Sequence, residues 1–343
     1  MMKRAASLLW RYLLIVASSC LLALFISQSQ AHAAEKDYAK AGPLAVEVVD
    51  AVWRDEKRER DIPVRIHVPQ KQAQGQTYPV ILFSHGLGGS VAGGKLWGEH
   101  WASYGYIVLH MQHAGSDEAL WKGKAPRDIA PSMKAGMTLG NLANRVQDVR
   151  FVIDEIARRA KAKEAPFAAA DLSRLGMSGH SFGAQTTLAV SGQASSTLGG
   201  QSGLEPRIQA AIAFSPNARN KARLDKQFGD IRIPFFSITG TADGSVLDDN
   251  TQAQDRTLPY QHMMPGEKYL AVFAEGDHMV FGGHTLAGRR RESERDREIQ
   301  TGVKAATLAF WNSTLKGDAE ARKWLQQGGF QAMLKSDDRF EWK

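Results

Sequence analysis

Six short, almost unbroken apolar runs alternate with helical patterns along this chain, and that alternation limits its fold more than any other feature. The runs are Pro79–Phe83, Tyr106–His110, Arg174–Met177, Ile208–Phe214, Pro234–Ile238 and Tyr269–Phe273. A strand with one wet face alternates apolar and polar residues. Runs without alternation belong to strands covered on both faces, as in a parallel sheet. Between them lie helical patterns at Leu96–Tyr104, Asn144–Ala160, Ser181–Val190 and Thr301–Leu315. In the second of these, Val146, Val149, Phe151, Val152, Ile153 and Ile156 supply an apolar face, and Arg145, Asp148, Arg150 and Asp154 are expected to face water. Two earlier runs, Leu44–Val52 and Ile62–Val68, joined by the charged turn Arg54–Asp61, read as an antiparallel start. The expectation is an α/β fold: an about eight-stranded, mostly parallel sheet, helices on both faces, right-handed crossovers.

The N-terminus reads differently. Lys3, Arg4 and Arg11 precede the apolar stretch Leu13–Ile26, and Ala31-His32-Ala33 follows as a small-x-small cleavage signal. This is the pattern of a secretory signal peptide over residues 1–33, with an apolar stretch short for a membrane span. The expected product is an exported protein, periplasmic or secreted, starting at or near Ala34, with residues 34–343 as a single domain and no stable membrane span after cleavage. The only cysteine, Cys20, lies inside the leader, so the mature chain forms no disulfide and relies on its core. A net charge of +7, partly carried by the leader, without a basic-aromatic stripe gives no nucleic-acid footprint. Arg289–Glu298 is charge-dense but mixed in sign and reads as a solvated loop or helix face.

Two connections are long. Residues 116–140 and 191–206 leave from the carboxyl edge of the sheet or near it, where such folds bind ligands, and each reads as a partial cap or a mobile insertion.

The chemical signal is Gly179-His180-Ser181-Phe182-Gly183, set between a buried strand and a helix start. A nucleophile elbow needs that setting. Its turn crowds the backbone, so the positions flanking the serine lack side chains, and the hydroxyl is raised beside a helix N-terminus. A serine hydroxyl attacks poorly until a base takes its proton. In this architecture the partners follow in the order acid, then histidine. Asp243 stands on the turn after Pro234–Ile238, with Asp248 and Asp249 as alternatives. His278 stands after the last parallel strand, with His284 as its rival. Two oxyanion donors are expected: the N–H of Phe182, and the N–H of Leu87 (Gly88 second) in His85-Gly86-Leu87-Gly88-Gly89. His85 and His180 read as structural hydrogen-bonding residues. His110 and His113 lack a third ligand at a telling spacing, and no phosphate or dinucleotide glycine motif occurs, so neither metal nor cofactor is expected.

With these residues in place, the chain resembles an α/β-hydrolase, in the branch that holds platelet-activating-factor acetylhydrolases, dienelactone-hydrolase-like proteins and bacterial cutinase-like polyester hydrolases. The segments that carry the likeness are Phe83-Ser84-His85-Gly86-Leu87-Gly88, Gly179-His180-Ser181-Phe182-Gly183, Val108–Asp117 and Asn144–Glu155. The resemblance covers most of Tyr78–Leu325 and implies the α/β-hydrolase fold, with Leu87 and Phe182 forming the oxyanion hole. In acetylhydrolases the triad acid follows the sixth strand. Here that place reads Phe214-Ser215-Pro216-Asn217, without a carboxylate, so the acid moves to Asp243 as in dienelactone hydrolases and cutinases. Asn217 also stands where cutinase-like enzymes often carry a tryptophan, and the polyester substrate does not carry over. The expectation is an exported serine carboxylic-ester hydrolase with a Ser181–His278–Asp243 triad and an acyl-enzyme, acting on short-chain or acetyl esters, small or lipid-like. The alternatives are an acyltransferase or amidase with the same triad, a polyester hydrolase, or a non-catalytic binding protein of this fold.

Overall fold

The computed structural model describes residues 37–70, 75–194, 203–218, 221–245, 251–283 and 292–343. The expected leader at residues 1–33, Asp248, Asp249, His284 and part of the 191–206 connection lie outside the described residues. The chain divides into Met1–Tyr38 and Ala39–Lys343, and the sheet lies wholly in the second unit.

The chain carries the α/β-hydrolase fold, with nine strands among the described residues. They are β1 (Val46–Asp55), β2 (Arg60–Pro69), β3 (Tyr78–Ser84), β4 (Ile107–Met111), β5 (Ala170–His180), β6 (Ile208–Phe214), β7 (Phe235–Ala242), β8 (Lys268–Asp277) and β9 (Arg339–Trp342). Their order is β1-β2-β4-β3-β5-β6-β7-β8-β9. β1, β2 and β4 pair antiparallel in succession, while β3 to β8 run parallel. The ninth strand was not expected. It has four residues with alternating charge, and it pairs antiparallel along the β8 edge, with Tyr269 opposite Trp342. So short a segment has no readable period, and charges on an edge strand discourage further pairing.

The helices are α1 (Lys95–Ser103), α2 (Pro126–Gly136), α3 (Leu139–Lys161), α4 (Phe182–Val190), α5 (Leu224–Phe228), α6 (Leu258–His262), α7 (Glu294–Leu315) and α8 (Ala319–Gln326). α7 begins at Glu294 instead of Thr301 because Ser293 and Asp296 form a capping box within the charge-dense segment. Successive residues of β3 face opposite layers. Val80 and Leu82 pack into the cluster that holds Val146, Val149 and Ile153 of α3. Phe83 lies against Phe214, which stacks on Trp97 of α1, and Trp101 meets Trp311 of α7 edge-on. Every residue of β3 and β4 is buried, as unbroken apolar runs require.

One expectation about α3 fails. Arg145 and Asp148 do not face water; both are fully buried. The helix turns Arg145 towards the loop after β3 and Asp148 towards His113 after β4, where hydrogen bonds replace hydration. Asp154 is exposed as expected. The 116–140 connection holds a short 3₁₀ turn and α2. It seats on the loop after β3: Trp121 Nε1 donates to the Gly88 carbonyl at 2.6 Å, and Gly89 bridges Asp117.

Candidate active site

Four parallel strands end at one edge of the sheet, and the residues just beyond them converge. β5 ends just before Ser181, whose φ of 56° and ψ of −113° place a non-glycine residue in a strained region. The strain is held by packing. A Cβ on Gly183 would fall 1.9 Å from the Ser84 carbonyl oxygen, and one on Gly179 would fall 2.4 Å from the Gly183 oxygen. Both flanking positions therefore require glycine. The Ser181 N–H donates to the Phe214 carbonyl at 2.9 Å, tying the turn to β6. Phe182 opens α4, and the first N–H groups of a helix have no acceptor within that helix.

The structure brings Ser181, His278 and Asp243 into one line. His278 Nε2 lies 2.9 Å from Ser181 Oγ, and His278 Nδ1 lies 2.7 Å from Asp243 Oδ1. Because the carboxylate can only accept, the ring proton sits on Nδ1 and Nε2 is left to accept from the serine. Asp243 is fully buried. Its Oδ2 accepts from Thr239 Oγ1 at 2.7 Å, and its Oδ1 lies 3.0 Å from Arg256 Nε. The Arg256 guanidinium also donates to the Asp243 carbonyl at 2.8 Å and the Ser215 carbonyl at 2.9 Å, joining the loops after β6 and β7. Asp277, next to His278, spends Oδ1 on the N–H groups of Met279 and Val280, each at 3.0 Å. The neighbouring carboxylate thus caps its own turn. His180 Nε2–H donates to the His278 carbonyl at 2.8 Å, so the elbow histidine orients the backbone of the proposed base.

Sequence reading missed Thr239, Arg256 and Arg145. Thr239 could have been noticed as a hydroxyl four residues ahead of Asp243, near the end of the same strand. Arg256 has no sequence signal, since its approach depends on how the segment after β7 returns.

The loop after β3 lies beside the elbow, where a Cβ on Gly86 would stand 3.4 Å from Ser181 Cβ. Of the two candidate donors there, Gly88 N–H is already committed to the Ser116 carbonyl at 2.9 Å. Beneath this loop runs a buried polar network. His85 Nε2 accepts from the His113 N–H at 3.0 Å, which leaves the ring proton on Nδ1 to donate to the Gly86 carbonyl at 2.5 Å. His113 Nδ1–H donates to Asp148 Oδ2 at 2.9 Å, and its Nε2 accepts from Ser84 Oγ at 2.9 Å. Three histidines of the fold interior, His85, His110 and His113, thus serve as internal connectors, His110 bonding the Gly93 carbonyl at 2.8 Å. Among the described residues no cluster of three or more His, Cys, Asp or Glu side chains is placed to hold a metal, and no helix is long and apolar enough to cross a membrane.

Together with His67, buried in β2, these histidines give the fold an acid-side weakness. Burial, first of all, lowers His113 and His67 to about 4, and it holds His85 and His110 well below the ordinary histidine value. In the unfolded chain each titrates near about 6.5. Between those values the unfolded state binds protons that the folded state refuses, so this stability is complete above about pH 6.5 and falls as pH drops towards 4. Each such histidine contributes a slope of about 1.4 kcal/mol per pH unit inside the window. Melting temperature is expected to be flat from pH 8 to 7 and to fall steeply from pH 6.5 to 5. A melting temperature independent of pH between 7 and 5 would contradict the neutral, buried assignment.

The sequence profile of the platelet-activating factor acetylhydrolase family, isoform II, matches residues 47–124. That span runs from β1 through β4 and includes the loop with Leu87, but ends before Ser181, Asp243 and His278. A comparison with characterised proteins found no match. Together with the α/β-hydrolase fold, the family match supports a hydrolase of lipase or esterase type.

Proposed function

We propose that the chain is an exported serine carboxylic-ester hydrolase that works through Ser181, His278 and Asp243 on short-chain or acetyl esters. The observation that carries this reading is the unbroken hydrogen-bonded line from Ser181 Oγ through the His278 ring to Asp243 Oδ1. In the reaction, Ser181 Oγ attacks the ester carbonyl while His278 Nε2 takes its proton. The resulting oxyanion is received by the N–H groups of Leu87 and Phe182. Collapse expels the alcohol, which leaves with the proton held by His278, and an acyl-serine remains. Water repeats the sequence, releasing the acid and restoring the serine. The preference for a small acyl group is taken from the acetylhydrolase family that matches residues 47–124. Export rests on the leader pattern of residues 1–33.

One experiment addresses both parts. Protein recovered from the periplasm or medium of expressing cells is expected to begin at or near Ala34. On nitrophenyl esters from acetate to palmitate, together with phospholipid and polyester, its highest kcat/KM is expected on acetate or butyrate. A fluorophosphonate probe is expected to label Ser181. Recovery of protein with an intact Met1 removes export from the proposal. Absence of both ester turnover and labelling removes the hydrolase.

A further inference from the structure

Arg145 is the residue whose burial the helical pattern did not anticipate, and its contacts point towards the site. Its Nη1 donates to the His85 carbonyl at 2.7 Å and to Ser84 Oγ at 3.3 Å. Its Nε donates to Ser116 Oγ at 2.9 Å, and its Nη2 lies 3.4 Å from the Ser116 carbonyl. That same Ser116 carbonyl receives the Gly88 N–H. On its other side the guanidinium lies 4.3 Å from the ring centre of Phe182. One buried side chain therefore touches both segments whose N–H groups are proposed to receive the oxyanion.

The loop's peptide geometry shows what this support fixes. The Gly86 carbonyl accepts from His85 Nδ1 at 2.5 Å and from the Gly89 N–H at 3.1 Å. In a planar trans peptide the N–H points opposite to the C=O, so locking the Gly86 carbonyl also sets the direction of the Leu87 N–H. The His85 ring that does the locking sits on the residue whose carbonyl Arg145 holds.

The charge balance points the same way. Asp148, one turn along α3 from Arg145, is occupied by Arg58 Nη1 at 2.8 Å, Arg60 Nε at 2.8 Å and His113. Among the described residues no carboxylate lies within ion-pair distance of Arg145, and the polar atoms around its guanidinium are uncharged: the oxygens already named and, at 3.5 Å from Nη2, His85 Nδ1. A buried cation without an ion-pair partner is costly to keep. Here it lies beside the elbow, where a transition state would develop negative charge, and there the same cation becomes favourable.

We propose that Arg145 is a positioning residue for transition-state charge, holding the Ser84–Gly88 loop and Phe182 so that the Leu87 and Phe182 N–H groups face one oxyanion. This inference rests on the serine-hydrolase reading. The test compares Arg145→Gln, Arg145→Lys and Ser116→Ala with wild type. Active sites are counted by fluorophosphonate titration, kcat and KM are measured on a short nitrophenyl ester, and inhibition by a trifluoromethyl ketone that forms a tetrahedral adduct is recorded. Arg145→Gln is expected to lower kcat per active site by roughly 10²-fold, the scale of losing an oxyanion donor, with KM changed by less than about threefold. Ketone affinity is expected to weaken in parallel with kcat/KM, and Arg145→Lys is expected to fall between Gln and wild type. Ser116→Ala keeps the charge and removes one anchor, so a loss of about three- to tenfold in both readouts is expected, and it decides the matter if the Arg145 variants do not fold. Folded Arg145→Gln with normal kcat and normal ketone affinity overturns the proposal, as does an unchanged Ser116→Ala if it stands alone. A general loss of stability would reduce the number of titrated sites without moving ketone affinity per site. If wild type itself is not labelled at Ser181, the hydrolase reading has failed, whereas a labelled, active wild type with unaffected variants defeats the Arg145 inference alone.

Discussion

Ser181→Ala is expected to lower kcat/KM on a short ester by roughly 10⁴- to 10⁶-fold while leaving the fold intact. The substitution removes one oxygen, whose hydrogen-bond partner in the site is His278 Nε2 at 2.9 Å. It keeps the Cβ, so the strained φ of 56° is no harder to hold for alanine than for serine. The packing that enforces the turn comes from Gly179 and Gly183 against backbone oxygens, and neither contact changes. Far-UV circular dichroism and melting temperature should therefore match wild type while turnover disappears. The residual rate would come from the oxyanion donors and from binding, which still operate without the nucleophile. A variant that kept more than about a tenth of wild-type activity would exclude Ser181 as the attacking group, since triad removals cost far more.

The parts of this molecule that were legible in the sequence are those fixed by local rules. Buried parallel strands announce themselves as unbroken apolar runs, and β6 was expected over the same residues it occupies, Ile208–Phe214. The elbow was legible because sterics leave only glycine two residues before and two residues after Ser181. Asp243 and His278 were legible as residues just past strand ends at the carboxyl edge of a parallel sheet. What escaped was decided by tertiary return. Arg145 and Asp148 follow a helical period that normally places charges in water, yet three segments distant in sequence, at Arg58–Arg60, Ser84–His85 and His113–Ser116, supply their partners. Arg256 reaches Asp243 from thirteen residues downstream. α2 went unread because it is weakly buried, with only Gly136 fully covered and Pro131 inside it; Met133, together with Trp121 from the preceding turn, seats this segment on Gly88. The misreadings cluster beneath and beside the candidate site, where local pattern gives way to the placement of polar groups.

The other large effect is expected at the base and its acid. His278→Ala should cost about as much as losing the nucleophile, because an unactivated serine hydroxyl attacks poorly. His284, outside the described residues, is expected to tolerate alanine with little loss. Asp243 allows a finer separation of roles. In many triads an asparagine at this position turns its NH₂ to the histidine, selects the wrong tautomer and costs about 10⁴-fold. Here Arg256 Nε lies 3.0 Å from Oδ1, the oxygen that also receives His278 Nδ1–H. An NH₂ in that place would meet the His278 N–H and the positive charge of the Arg256 guanidinium. The amide oxygen of Asp243→Asn is therefore expected to occupy the Oδ1 position, with its NH₂ donating to Thr239 Oγ1, a hydroxyl that can rotate to accept. The productive tautomer then survives, and what is lost is the negative charge facing the imidazolium as it forms. Charge-assisted hydrogen bonds are about twice as strong as neutral ones, so a loss of roughly 10²- to 10³-fold is expected for the asparagine. Asp243→Ala removes the orienting acceptor as well and is expected to approach 10⁴-fold. Measured on one short ester with active sites titrated, asparagine should exceed alanine in kcat by about tenfold or more, and Asp243→Asn combined with Arg256→Gln should lose that advantage, because the amide is then free to flip. Equal kcat values for the asparagine and alanine variants would show that Arg256 does not hold the amide in place.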